Sequence, residues 1–280
     1  MYYRSINIIL IIFLLVTSLS TPLVASQESN ETVQKIHPNL LKNIQTLEGD
    51  VFIEVVIRLK PLPEYVRTLV KGDYDLAVTS LKSWASYTQE PVVRMISLKG
   101  GVVLNRFWLD NVILARVPVS LIKILATNPD VVKIFENFRV EVIRPVDVKN
   151  IDPEQLVSSW GIFKIRANEA WSLGYTGEGV RIAVLDTGVD ITHPALAGKM
   201  LTLDPSSPYY PGGWMEFDSN GNPVLSMPRD TDGHGTHVSG TALGGDTSEI
   251  LIGVAPRATL MHGLVLPGGS GTFAQVLAGM

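Results

Sequence analysis

Two short stretches of this sequence hold the residue types that acid–base chemistry requires. Asp186 stands in Asp186-Thr187-Gly188-Val189-Asp190, and His234 in Asp232-Gly233-His234-Gly235-Thr236-His237-Val238-Ser239-Gly240. A carboxylate bonded to one imidazole nitrogen orients the ring, so that the other nitrogen can take a proton from a nucleophile. Asp-Thr-Gly alone is a turn-forming tripeptide and equally suits a capping aspartate. His234 and His237 could also be a metal pair on adjacent helical turns, but the glutamate of a His-Glu-x-x-His zinc helix is absent. His237 is expected to make a structural hydrogen bond, and His193, followed by Pro194, to belong to the loop behind Asp186. His37 and His262 have no constellation around them.

The elements that must position these groups follow from hydropathy. Val180 to Leu185 is a nearly continuous apolar run, expected as a parallel strand buried on both faces, with Asp186 at its carboxyl end, where α/β sheets place ligands. Gly235 to Gly244 is a poor intrinsic helix; tertiary packing must hold it, its glycines allowing close approach to the sheet. Ala258 to Val265 reads as the next strand, Phe273 to Met280 as a helix, and Ala167 to Trp171 as another. Upstream, Val51 to Leu59 is a strand. Asp73 to Leu98 has helical spacing that Pro91 should break or kink. Val102 to Trp108 and Val112 to Val117 form a hairpin. Pro118 to Ala126 is a helix with proline at an early position, and Val131 to Phe135 a strand. The order strand, helix, strand, strand, helix, strand is a ferredoxin-like arrangement.

Asp186-Thr-Gly, the Asp232-Gly-His234-Gly-Thr-His-Val-Ser-Gly segment and Gly253-Val-Ala-Pro256, in this order and at these separations, resemble the subtilisin-like serine proteases (subtilases, peptidase S8). The resemblance implies an Asp-His-Ser triad in which Asp186 orients the ring and His234 is the general base. It implies that Gly268 to Phe273 is a substrate edge to which a peptide adds as a strand. There Gly269, Ser270 and Gly271 offer backbone and Phe273 walls an apolar pocket. It further implies that the first domain is an inhibitory propeptide with Val131 to Val142 as its last strand and exit. No Gly-Thr-Ser-Met-Ala type motif occurs, and no asparagine follows His234. The expectation is therefore a fragment lacking the catalytic serine and the oxyanion-hole asparagine, truncated within its last helix and inactive alone. No cofactor is expected for catalysis. Ala195 replaces an aspartate that many subtilases use for structural calcium, which argues against that site.

Composition agrees with folded protein: 46% of the 280 residues are hydrophobic and 18% charged. The net charge of −4 and the unclustered basic residues exclude a nucleic-acid partner. The absence of cysteine removes disulfides, thiolate metal sites and a thiol nucleophile. Arg4 precedes an apolar run from Ile8 to Val16, too short for a span of about 20 residues and followed by small residues near Ala25, as in a signal peptide. The expected organisation is a signal peptide over 1–25, a loose leader over 26–48, an inhibitory propeptide-like domain over 49–145 and the N-terminal part of a catalytic domain over 146–280. In fold class this is an incomplete subtilisin-like α/β parallel-sheet domain preceded by a ferredoxin-like α+β domain. Pro145 to Pro153 is a turn-rich linker or processing site, and Tyr209 to Pro228 resembles a surface insertion of larger subtilases.

The function expected is that of a secreted serine endopeptidase precursor, extracellular or at the cell surface. Its partners would be peptide or protein substrates, its own propeptide, and a separate C-terminal fragment. The alternatives are a propeptide-type inhibitor or chaperone of another protease, and a pseudoprotease.

Overall fold

A computed structural model describes residues 30–47, 51–144, 160–202, 212–245 and 252–280. The expected signal peptide, the first part of the leader, the linker and part of the 209–228 segment lie outside the described residues. By its contacts the chain divides into two compact units, one ending at Glu136 and the other beginning at Asn137.

The first unit is built on four antiparallel strands, β1 (Phe52–Leu59), β2 (Val102–Phe107), β3 (Val112–Pro118) and β4 (Val131–Glu136), in spatial order β2-β3-β1-β4. Strand alternation sends Val55 and Ile57 to one face, opposite Ala115 and Ile113. There they join Val92, Ile96, Leu121 and Leu125 from the helices, all buried, to make the core. Helix α1 (Pro38–Gln45) adds Leu40 and Ile44 to the same core. Two further helices, α2 (Glu64–Leu69) and α3 (Tyr74–Leu98), join β1 to β2, and α4 (Val119–Thr127) joins β3 to β4.

Two details of this unit differ from the sequence reading. Helix α3 is not broken at Pro91 but runs as one element of 25 residues. Proline removes one main-chain bond, a loss of about 3 kcal/mol in a free helix. Here Ala85 and Gln89 on one side and Val92 and Ile96 on the other are all buried, while Pro91 itself is exposed. Gln89 also donates to the carbonyl of Phe107 at 2.9 Å. Packing on both sides of the gap carries the helix through it. Pro118 is not inside a helix: it closes β3 and stands in extended conformation as the N-cap of α4.

The second unit opens with β5 (Arg139–Glu141), α5 (Trp160–Lys164) and α6 (Ala167–Ser172). Its sheet contains β6 (Arg181–Asp186), β7 (Trp214–Phe217), β8 (Pro223–Val224) and β9 (Thr259–Leu264), in the order β6-β9-β7-β8. The β6–β9 and β9–β7 pairs are parallel and β7–β8 is antiparallel. Helix α7 (His234–Leu243) packs on β6 and β9. Leu243, Leu260, Leu264 and Trp214 form the core beneath it. β6 is not buried on both faces as its apolar run suggested, because it is an edge of the sheet among the described residues. Arg181 and Ala183 are exposed, and burial reaches only Val184 and Asp186 near its end. A 3-10 turn (Pro267–Gly269) then leads into β10 (Ser270–Thr272), which pairs antiparallel with β5, and into α8 (Phe273–Gly279). Thr272 caps α8 in a reciprocal box with Gln275. Among the described residues no helix is long and apolar enough to cross a membrane.

Candidate active site

Where β6 ends, the chain turns through Asp186 and Thr187, both buried. The start of α7 must come close to this turn, and Gly235 permits it. A β-carbon on residue 235 would lie 2.1 Å from the carbonyl oxygen of Gly188 and 3.2 Å from the β-carbon of Asp186. With no side chain there, the Gly235 N–H donates to the Thr187 hydroxyl at 2.8 Å. That hydroxyl in turn donates to Asp230 at 2.8 Å.

Asp230 closes the arrangement from the other side. Its carboxylate accepts from the Thr236 N–H at 2.8 Å, the Thr236 hydroxyl at 2.5 Å, the Gly233 N–H at 2.9 Å and the Asp232 N–H at 3.1 Å. Burial pushes this carboxyl group up, but the bonds from Thr236, Gly233 and Asp232 outweigh it and hold the group at about 2. An anion at the start of α7 also satisfies N–H groups that the helix leaves unpaired.

Held in this frame, His234 presents Nδ1 to Asp186 at 2.7 Å and 2.9 Å from its two carboxylate oxygens. Asp186 is 6% exposed. Oδ1 of Asp186 also accepts from the Thr187 N–H at 2.7 Å, which fixes the carboxylate. With Nδ1–H donated to the carboxylate, the lone pair of a neutral ring lies on Nε2, the nitrogen that can then accept a proton.

The expected substrate edge carries a strand of this same unit. Ser270 pairs with Glu141 and Gly271 with Val140, and the Gly269 carbonyl accepts from the Val142 N–H at 3.0 Å. The Phe273 ring packs against that of Phe138 at 5.2 Å.

Neither serine near these motifs bonds to His234. Ser239 is fully buried and its hydroxyl meets Nδ1 of His262 at 3.3 Å. The Ser270 hydroxyl accepts from Arg139 at 2.8 Å and 3.0 Å. The expected structural bond of the His237 ring is not seen. The residue is exposed, and its bonds run through the main chain: its N–H donates to the Gly233 carbonyl at 3.1 Å and its carbonyl accepts from the Thr241 hydroxyl at 3.1 Å. Ala195 is buried and donates its N–H to Nδ1 of His193 at 3.2 Å. Among the described residues no three His, Asp or Glu side chains gather as metal ligands.

Sequence reasoning missed Asp230 and His262. His262 has partners after all: it is 3% exposed, stacks on Trp214 at 6.1 Å and 21°, and its Nε2 is buried without a bond among the described residues. Burial drives its basicity down to about 4 although Asp186 and Asp230 pull the other way.

Comparison with known proteins gives a family match over the second unit. Residues 177–280 match the model of the subtilase family, Peptidase S8. The chain is 28% identical to Bacillopeptidase F of Bacillus subtilis (strain 168) over 280 residues, covering 89% of this chain and 19% of that protein. It is 41% identical to Minor extracellular protease Vpr of the same organism over 121 residues, covering 41% and 14%. It is 37% identical to the organism's Major intracellular serine protease over 122 residues, covering 43% and 35%. The chain thus spans about a third or less of the length of each of these relatives.

Proposed function

We propose, from the match of residues 177–280 to the subtilase family model, that this chain supplies the acid–base part of a secreted serine endopeptidase. The observation that carries this reading is the Asp186–His234 pair, with Nδ1 bound at 2.7 Å and Nε2 left as the base. In the reaction, Nε2 takes the proton of a serine hydroxyl as the oxygen attacks the peptide carbonyl. Asp186 stabilises the imidazolium, which then protonates the leaving amine. These 280 residues contain no counterpart of the family's serine motif or of its oxyanion-hole asparagine. On this reading they do not complete an acyl-enzyme alone, and a C-terminal segment brings the nucleophile and the oxyanion donors.

Peptide binds by strand addition along Gly269, Ser270 and Gly271, with Phe273 as an apolar wall. The antiparallel β5–β10 pairing supports this, since a strand of this unit lies along the same residues. Residues 49–145 are read as a ferredoxin-like inhibitory propeptide, supported by the sheet order β2-β3-β1-β4 with helices in both crossovers. Export is read from the apolar leader, and no metal is assigned to catalysis.

The test uses a version of the protein completed with a segment that carries the family's serine motif and oxyanion-hole asparagine. Asp186→Asn and His234→Ala should each leave folding intact and lower kcat by at least about 10⁴, a magnitude taken from subtilisin itself. Near-normal turnover in either folded variant would overturn the roles. For the 280-residue chain, a serine-directed fluorophosphonate should label neither Ser239 nor Ser270.

A further inference from the structure

Between α2 and α3 of the first unit the chain leaves a gap that its own side chains do not fill. Leu62 and Val70 flank α2 and are buried, whereas no residue of α2 itself is buried. Gly72, with φ of +93°, then turns the chain into α3. There Tyr74, Ala77 and Leu81 fall on one face of the helix, at i, i+3 and i+7. Leu109, in the turn between β2 and β3, adds a third side. Together these residues bound a cavity of about 520 Å³, within the range of small-molecule sites, about 300–1,000 Å³.

The lining divides into an aliphatic part and a charged part. Leu62, Val70, Ala77, Leu81 and Leu109 supply hydrocarbon, and Tyr74 a ring that is otherwise 81% exposed. Arg67 and Lys71 line the same cavity and are exposed. The Arg67 guanidinium is 4.0 Å from Glu64, whose side chain is 85% exposed, a pair that water screens. Lys71 has no ion pair among the described residues. The one acid of the lining, Asp73, is the N-cap of α3 and accepts from the Leu76 N–H at 2.9 Å, so the start of the helix answers its charge. Two cations remain for a ligand.

We propose that this cavity binds a medium-chain aliphatic carboxylate, with the chain against Leu62, Val70 and Leu81 and the carboxylate at Arg67 and Lys71. A neutral chain leaves both cations without a partner, and a cationic one meets them at close range, so both are disfavoured. A small polar anion gains the cations but covers no apolar surface. The site is lined wholly by the first unit and shares no residue with the Asp186–His234 pair, so it goes beyond the proposed function and does not depend on it.

Titration of the 280-residue protein with decanoate, followed by nuclear magnetic resonance at the Gly72 and Ala77 amides, tests the proposal. Decanoate should shift both amides saturably. Hexanoate, four methylenes shorter, should bind at least about ten-fold more weakly, and decanol about five-fold more weakly. Arg67→Glu with Lys71→Glu changes only exposed side chains, so the thermal midpoint should hold while decanoate binding falls about ten-fold and decanol binding does not. Ala77→Trp, whose ring would occupy the cavity, should abolish the shifts with every ligand; if that variant does not fold, the charge-reversed protein decides. Equal affinities for decanoate and decanol, unchanged decanoate binding in the charge-reversed protein, or no saturable shift at either amide would each overturn the proposal.

Discussion

An imidazole without water around it resists protonation, and His262 shows what this means for stability. Its ordinary value near 6.5 falls to about 4 in the folded protein because of burial. Between these values the unfolded chain takes up a proton that the folded chain refuses. The contribution of His262 is therefore complete above about pH 6.5 and is lost as pH falls toward 4, by a few kcal/mol at the lower end. Denaturant midpoints measured from pH 7.5 to 4 should show this slope. His262→Gln, which can still accept from Ser239, should flatten it; an unchanged slope would assign the acid sensitivity to another group. A trace of this residue was present in the sequence. Leu260, His262 and Leu264 alternate, and all three are buried on β9, so an inward polar residue could have been read from period two alone. Its partners could not, since Trp214 and Ser239 arrive from other elements. Asp186 and His234, in contrast, were legible because each sits inside a contiguous motif.

Helix α7 is an element whose position is set by what is missing from it. At Gly235 even a methyl group would collide with the Gly188 carbonyl oxygen at 2.1 Å. Because the obstacle is backbone, relief requires moving the helix away from β6. Gly235→Ala should lower stability by about 3 kcal/mol, in the range of overpacking, and lengthen the Asp186–His234 bond. Its signature would be loss of the downfield Nδ1 proton resonance of His234 before global unfolding. The carboxylate that ties the same turn should matter comparably. Asp230→Ala removes four accepted bonds at the head of α7 and should cost about 2 kcal/mol or more, read as a shift in thermal midpoint at pH 7. Of these two residues, the glycine was legible from its motif. Asp230 was not, since its bonds depend on how the Thr231-Asp232-Gly233 turn folds back. Propensity likewise misjudged Pro91 and the burial of β6, because both outcomes depend on which neighbours cover the element.

At the scale of the whole molecule, the element order of the first unit followed from alternation and turn residues. Composition points to the turn-rich stretch after residue 145, whereas the contacts divide the chain between Glu136 and Asn137. The reason is β5, a strand of three residues that pairs with β10 across more than a hundred positions of sequence, a contact no local pattern announces. If residues 49–145 form an inhibitory domain, the separately made segment added to the complete protease should suppress peptide hydrolysis at saturation. Undiminished hydrolysis would reject that role.

The pairing of β5 with β10 also has a kinetic side. In an uncut chain the strand and its edge are tethered, so occupancy is a first-order process governed by an effective concentration on the order of millimolar, and dilution cannot relieve it. One cut anywhere from 145 to 159 makes the same contact second-order. Occupancy then depends on total protein, and the edge empties on dilution into a large volume. A single hydrolytic event would thus turn a concentration-independent block into a dilution-sensitive one without altering any contact between β5 and β10.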